Sequence, residues 1–233
     1  MTSNPKILAL AFLGGIVPSL LWLWFWLKED EHPEPKSLLS ILFIMGMLAV
    51  IVVLPIQRFI QGEISSYEGE LFLWASVEEI MKYLAVLVVA SGINTGEDPV
   101  DWPIYLITSA LGFAALENML FLVKPFAVEG GVVALLTGQL RFLGSTLLHT
   151  VASGTIGLAI GISFYMAEWK KEWLIFFGFA TAIGLHTAFN FFIMRNNGSD
   201  FLKVFAFLWV ATIIVMLIFE KVRRMSETKL LLK

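Results

Sequence analysis

The sequence contains no cysteine, and only 15% of its 233 residues are charged. The absence of cysteine excludes disulfides, catalysis by a thiolate and metal sites with cysteine ligands. The low charge argues against an ordinary water-soluble domain, in which about 25% of residues are charged. With a net charge of −3 and no basic cluster interleaved with aromatics outside the C-terminal tail, nothing indicates a nucleic-acid partner.

Several signatures of known catalytic sites are also missing. The sequence has no G-x-S-x-G, no H-E-x-x-H, no membrane Ser–Lys dyad, no phosphate-binding glycine loop and no dinucleotide fingerprint. An active site therefore has to be sought among residues that are far apart in the chain.

Apolar runs of about 20 residues recur along the chain, the length at which a helix crosses a hydrocarbon core of roughly 30 Å. They predict an all-α fold, a polytopic transmembrane helical bundle that forms a single domain over residues 1–233. We predict seven spans, at about residues 7–27, 38–57, 71–91, 103–123, 143–166, 173–194 and 202–219. The core motifs lie within residues 71–194, and residues 220–233 form a basic tail.

Residues 132–166 are too long for one straight span and barely long enough for two. Because Gln139 and Arg141 interrupt the apolar run early, we predict one span preceded by an interfacial helix. Two crossings here would give eight spans in total.

The distribution of Lys and Arg between the loops indicates the orientation of the chain. With seven spans, nine basic residues fall on the side of the C-terminus: Lys28, Lys36, Lys170, Lys171, Lys221, Arg223, Arg224, Lys229 and Lys233. Six fall on the other side: Lys6, Arg58, Lys124, Arg141, Arg195 and Lys203. The positive-inside rule therefore predicts a cytoplasmic C-terminus and an external N-terminus.

Ionisable residues occur inside the predicted spans, where each costs roughly 2.5–3.5 kcal/mol on insertion scales. The third span contains Glu78-Glu79-x-x-Lys82. Glu78 and Lys82 lie on one helix face at a spacing of four, which predicts that they pair and that the second carboxylate is left without a cation. A structural ion pair explains one of these carboxylates but not both.

Three further spans each contain an ionisable residue. Glu117 in the fourth span has no cation within a turn, so it needs a partner from another helix. His149 lies in the fifth span among small residues that permit close helix contact. His186 and Asn190 share one face of the sixth span. Either histidine alone is compatible with a packing role.

The depths of these residues suggest a common site. At 1.5 Å per residue, Glu78 and Glu79 lie roughly 10–12 Å from one membrane face, Glu117 and His149 roughly 9 Å, and His186 roughly 12 Å. Because successive spans alternate in direction, all of these distances refer to the same face. We therefore predict that the side chains converge in one layer, provided that residues 143–166 cross once.

Two hydrolytic arrangements are compatible with these residues. In the first, Glu117, His149 and His186 bind Zn²⁺ with an open water position, and Glu78 or Glu79 is the base. In the second, a carboxylate activates water without a metal, a histidine protonates the leaving amine, and His186 with Asn190 stabilises the oxyanion. The alternatives outside hydrolysis are a proton-coupled transporter that uses the buried residues as a relay, and an inactive membrane scaffold.

The motifs Glu78-Glu79-x-x-Lys82, Phe113-x-x-x-Glu117-Asn118, Arg141 with His149, and His186-x-x-x-Asn190 resemble, in this order, those of the PrsW intramembrane proteases. The Trp-rich first span followed by Asp30 and Glu34-Pro35 is similar too, so the resemblance extends from about Trp22 to Asn190. It implies catalytic roles for Glu78, Glu79, Glu117, His149 and His186, with Lys82, Asn118, Arg141 and Asn190 in support.

The wider CAAX prenyl endopeptidase superfamily, to which PrsW proteases are related, has an arginine after its Glu pair and a histidine in its second motif. This chain has Lys82 and Glu117 at those places, which favours the PrsW branch over prenyl-protein processing. The resemblance implies an integral protein of a prokaryotic cell membrane. It also implies site-1 cleavage of a single-span membrane protein, such as an anti-sigma factor, on the extracytoplasmic side.

Overall fold

The computed structural model describes residues 4–28, 34–92, 96, 98–129, 131–194 and 201–230, without the side chains of residues 129 and 226–230. Within these ranges the secondary structure is helical, and no strand occurs. The helices are α1 (Pro5–Lys28), α2 (Lys36–Glu63), α3 (Tyr67–Gly92), α4 (Asp101–Lys124), α5 (Gly131–Leu143), α6 (Ser145–Ser163), α7 (Glu168–Met194) and α8 (Phe201–Leu230). Asp30 and the end of the basic tail, residues 231–233, lie outside the described residues.

Each of the seven predicted spans corresponds to a helix, which confirms the polytopic helical bundle. Six helical stretches are long and apolar enough to cross a membrane, and together they involve every helix except α3. The central part of α3 contains three charged residues, Glu78, Glu79 and Lys82, and all three are buried inside the bundle. Its 26 residues rise about 39 Å, enough to cross the hydrocarbon core. That α3 is a seventh span stays a prediction.

The ambiguous region at residues 132–166 forms two consecutive helices that meet at Gly144. The short helix predicted before the fifth span is confirmed as α5, whose 13 residues rise only about 20 Å. A π-helical turn, Pro125–Glu129, comes between α4 and α5. Because α5 is too short to cross roughly 30 Å of hydrocarbon, this arrangement favours a single crossing in this region.

Helix α4 lies at the centre of the bundle, and residues 103–115 are all buried. It packs against α1, α2 and α6, while α6 also contacts α7 and α3 packs on α2 and α7. Small residues allow the closest of these contacts. A Cβ at Gly46 would collide with the Ser109 carbonyl, and one at Gly112 with the Phe43 carbonyl. This close packing of α2 on α4 and of α6 on its neighbours brings the polar residues of α3, α4, α6 and α7 together.

Candidate active site

Five helices contribute polar side chains to one cluster in the interior of the bundle. They are Glu78, Glu79 and Lys82 from α3, Glu117 and Asn118 from α4, Arg141 from α5, His149 from α6 and His186 from α7. The structure therefore brings together the residues that the depth argument assigned to one layer. Asn190 is the exception, since it is half-buried and has no hydrogen bond within the described ranges.

Glu79 is the most enclosed carboxylate of the cluster, with no exposed surface. Its Oε1 lies 2.5 Å from Lys82 Nζ and 2.7 Å from His186 Nδ1. Its Oε2 accepts a hydrogen bond of 2.6 Å from the Ser153 hydroxyl. Three partners from three helices thus hold this carboxylate in one orientation.

The predicted ion pair between Glu78 and Lys82 is wrong, because Lys82 pairs with Glu79 instead. Spacings of three and four both place a lysine beside a carboxylate on a helix, so the spacing alone does not select the partner. The selection comes from other helices, since His186 and Ser153 draw Glu79 towards Lys82. As predicted, Lys82 neutralises one carboxylate of α3, but that carboxylate is Glu79 and not Glu78.

Glu78 is held by only one of its oxygens. Gln57 on α2 donates a hydrogen bond of 2.8 Å to Glu78 Oε1. Among the described residues, Glu78 Oε2 is one of two buried side-chain polar atoms without a hydrogen-bond partner, the other being Trp26 Nε1. A buried carboxylate oxygen in this state requires an explanation, such as an ion or a water molecule that binds it.

Both histidines face that oxygen. Glu78 Oε2 lies 3.5 Å from His186 Nε2 and 3.9 Å from His149 Nδ1. The ligand atoms of the three residues all lie within 4.8 Å of one another. Two imidazoles and one carboxylate are a common donor set for Zn²⁺ in hydrolytic sites, so these residues fit a divalent metal ion.

The set predicted from the sequence, Glu117 with His149 and His186, is not the group that the structure assembles. Glu117 Oε2 accepts hydrogen bonds from Arg141 Nη2 at 2.6 Å, His149 Nε2 at 3.2 Å and Ser145 at 3.4 Å. It therefore contacts His149 at the ring nitrogen that points away from Glu78. Glu78 and Glu117 lie on opposite sides of the His149 ring. Their depth in the membrane alone does not tell which of the two joins the histidines.

Arg141 and Glu117 form the more exposed end of the cluster, with 18% and 19% of their side-chain surface accessible. The expected partner of Glu117 from another helix is Arg141. Arg141 Nε also donates to Asn118 Oδ1 at 2.5 Å, and Asn118 donates to Thr146. The guanidinium stacks over the Phe121 ring at 3.9 Å. This end of the cluster is therefore the more accessible one.

The carboxylates of the cluster outnumber its basic side chains. Three carboxylates, Glu78, Glu79 and Glu117, face two basic side chains, Lys82 and Arg141. With neutral histidines and all three carboxylates ionised, the cluster would carry one net negative charge in a buried setting, where uncompensated charge is costly. A bound cation would compensate this excess.

Sequence reasoning missed three residues of the site: Gln57, Ser145 and Ser153. Two of them had a usable signal, because Ser145, His149 and Ser153 recur every four residues and share one face of α6. Ser153 is also one of the small residues near His149 that permit close helix contact. Gln57 had a weaker signal, since it is one of two glutamines near the polar end of α2.

Comparisons with known proteins show the family of the chain. A family model described as PrsW family intramembrane metalloprotease matches residues 34–219, which include every residue of the cluster. The chain belongs to this family. No solved structure matches it.

Three relatives, each named Protease PrsW, illustrate the similarity. The chain is 26% identical to the protein of Geobacillus kaustophilus (strain HTA426), over 79% of this chain and 80% of that protein. It is 26% identical to the protein of Oceanobacillus iheyensis, over 94% and 97% of the two chains. It is 28% identical to the protein of Clostridioides difficile (strain 630), over 78% and 79%. Family membership and six apolar helices make the chain an integral membrane protein of a protease family.

Proposed function

We propose that the protein is an intramembrane metalloendopeptidase in which Glu78, His149 and His186 hold a divalent metal ion. Its reaction would be hydrolysis of a peptide bond. The observation that carries the proposal is the unpartnered oxygen Glu78 Oε2, which faces Nδ1 of His149 and Nε2 of His186. Zn²⁺ is the ion that this donor set suits best.

A metal ion at these ligands would polarise the substrate carbonyl and lower the pKa of water. The remaining residues orient the ligands. Gln57 fixes Glu78 through its Oε1, while Glu79 and Glu117 fix the two histidines. Ligands held in this way bind metals more tightly than free ones, by about 10–100-fold for each outer partner.

Glu117 and Arg141 are placed to handle the substrate. Glu117 Oε1 has no hydrogen bond to a described residue, whereas Oε2 has three. Oε1 can take the proton of the attacking water and return it to the amine that leaves when the C–N bond breaks. Arg141 Nη1 is likewise without a partner in the described part of the chain, and it can donate to the carbonyl oxygen of the substrate backbone. The sequence-based prediction has Glu117 as a metal ligand and Glu78 or Glu79 as the base. In the present proposal Glu78 is the ligand and Glu117 is the base.

The substrate we propose is a single-span membrane protein, such as an anti-sigma factor, cleaved near the extracytoplasmic face. The resemblance of the motifs to the PrsW proteases supports this substrate class. The predicted orientation supports the face, because it puts the loops nearest the site on the side opposite the basic tail. The cell membrane is the matching location, with the N-terminus outside and the C-terminus in the cytoplasm.

One observation favours a second mechanism without a metal. Lys82 Nζ lies 3.1 Å from His149 Nδ1, so an ammonium group occupies a position beside one of the ligand atoms. In that mechanism Glu78 itself is the base that activates water, and the cluster obtains its positive charge from Lys82 and Arg141. A metal ion can be bound by His149 Nδ1 only if Lys82 gives up this contact.

Cleavage assays with purified protein and a model single-span substrate separate these mechanisms. Wild type and Glu78→Gln are compared before chelation, after chelation and after addition of Zn²⁺. Glu70→Gln is a matched control, since Glu70 lies on the same helix and takes part in no ion pair among the described residues. We expect wild-type and Glu70→Gln activity to be lost with chelator and restored by Zn²⁺, and Glu78→Gln to be inactive throughout.

The other outcomes are equally informative. Chelator-resistant cleavage that is lost in Glu78→Gln would support the mechanism without a metal. Normal cleavage by Glu78→Gln would contradict both mechanisms. Absence of cleavage by the wild type against several single-span substrates would favour the inactive scaffold.

A further inference from the structure

The hydrogen bonds around His186 determine which ring nitrogen carries its proton. His186 Nδ1 lies 2.7 Å from Glu79 Oε1. That oxygen already accepts from the Lys82 ammonium, and the other oxygen of Glu79 accepts from Ser153. Glu79 therefore has no proton to give, and the proton in this bond belongs to Nδ1. In a neutral ring the lone pair of His186 is then on Nε2, which faces Glu78 Oε2.

The hydrogen bonds around His149 give the opposite result. His149 Nε2 lies 3.2 Å from Glu117 Oε2, an oxygen that also accepts from Arg141. On the other side of the ring, His149 Nδ1 lies 3.1 Å from the ammonium of Lys82, which can only donate. Both contacts require the proton on Nε2. The lone pair of His149 is therefore on Nδ1, which also faces Glu78 Oε2.

We infer that Glu79 and Glu117 hold the two histidines in opposite tautomers, so that His186 offers Nε2 and His149 offers Nδ1 to the gap beside Glu78. For neutral rings, the tautomers follow from the hydrogen bonds. Their use as metal ligands rests on the proposed function.

The two carboxylates have matching surroundings. Glu79 is bound by Lys82, Ser153 and His186. Glu117 is bound by a corresponding set, namely Arg141 from α5 with Ser145 and His149 from α6. Each carboxylate thus has one cation, one hydroxyl and one imidazole. The cation and the hydroxyl keep the carboxylate ionised and in place, which fixes the tautomer of the ring.

NMR of the purified, metal-free protein with ¹⁵N-labelled histidine tests this inference at neutral pH. The chain has three histidines, so His32→Asn and His149→Gln suffice to assign the signals. We expect one protonated and one bare nitrogen in each site histidine, with the proton on Nε2 of His149 and on Nδ1 of His186. The same tautomer in both rings, the reverse assignment, or a doubly protonated ring would overturn the inference.

A variant tests whether Glu117 holds His149. In Glu117→Leu the Nε2 proton of His149 is expected to lose the downfield shift that a bond to a carboxylate produces, while the Nδ1 proton of His186 keeps its own. An unmoved His149 signal in that variant would contradict the role given to Glu117. If Glu117→Leu does not fold, the wild-type tautomers still decide the inference.

Addition of Zn²⁺ to the same wild-type sample separates the inference from the proposed function. Zinc binding is expected to shift the bare nitrogens, Nδ1 of His149 and Nε2 of His186. A spectrum with the expected tautomers that does not respond to Zn²⁺ would support the inference and contradict the proposed metal site. Zinc-induced shifts at Nε2 of His149 and Nδ1 of His186 instead would contradict both the inference and the proposed set of ligand atoms.

Discussion

The ammonium of Lys82 lies 2.5 Å from the carboxylate of Glu79, and both side chains are completely buried. Lys82 and Glu79 are two of the three buried charged residues of α3, and the third is Glu78. Glu78, one residue earlier, is left with an oxygen directed at two histidines. The adjacent carboxylates of one helix thus have different surroundings, one in a closed ion pair and one in an open gap.

Loss of Lys82 is expected to destabilise the protein. Lys82→Met leaves Glu79 as a buried charge without its ion-pair partner, which typically costs about 3–5 kcal/mol. Thermal unfolding in detergent measures the effect. Lys36→Met, on the exposed first turn of α2, is the control and is expected to change stability by less than about 0.5 kcal/mol. Equal stability of the two variants would show that the buried pair is not needed.

The two serines of α6 are expected to differ in their contribution. Ser153 donates a bond of 2.6 Å to the fully buried Glu79, so Ser153→Ala should cost about 1.5–3 kcal/mol. Ser145 lies 3.4 Å from the half-buried Glu117, so Ser145→Ala should cost about 0.5–1.5 kcal/mol. Unfolding in detergent compares them. A larger loss in Ser145→Ala would contradict the assignment of Glu79 as the tighter of the two sites.

Gln57 is expected to matter for activity, although it belongs to none of the sequence motifs. Gln57→Leu frees Glu78 Oε1, and an outer partner of this kind is worth about tenfold or more in metal affinity or activity. The measurement is the rate of substrate cleavage at limiting Zn²⁺. Gln61→Leu, one turn further along α2 at an exposed position, is the matched control and should cleave like the wild type. Equal rates for both variants would mean that Glu78 needs no support from α2.

The orientation can be tested with single cysteines, because the chain has none of its own. Ser65→Cys, Ser91→Cys and Ala167→Cys place a thiol at exposed positions between or at the ends of helices. In intact cells an impermeant maleimide is expected to label Ser65→Cys, and to label the other two after permeabilisation only. Labelling of Ser65→Cys and Ser91→Cys from the same side would show that α3 does not cross the membrane.

The sequence was sufficient to predict the helices and the meeting of the polar residues, because both depend on regular geometry. Apolar length sets the spans, and a rise of about 1.5 Å per residue sets the depth of Glu78, Glu117, His149 and His186. An interruption of the apolar run, at Gln139 and Arg141, predicted α5 as a separate short helix.

The hydrogen-bond and ion-pair partners within the cluster could not be predicted from the sequence. They depend on which side of each helix faces its neighbours. The partners of Glu79 on other helices, Ser153 and His186, decide that Lys82 pairs with Glu79 and not with Glu78. The side of the His149 ring that faces Glu117 decides whether that carboxylate can join the histidines at a metal. Asn190 shows the same limit, since it lies one turn from His186 and yet does not bond to the cluster.

The most direct test of the account is the metal content of the purified protein after dialysis against Zn²⁺, measured for the wild type, Glu78→Gln and Glu117→Gln. We expect one tightly bound ion per wild-type chain, none in Glu78→Gln, and in Glu117→Gln an ion bound about 10–100-fold more weakly, because only an outer partner is lost. Retention of the ion by Glu78→Gln together with its loss from Glu117→Gln would contradict the proposed ligands. A wild-type protein that cleaves its substrate without any bound metal would contradict the proposed mechanism as a whole.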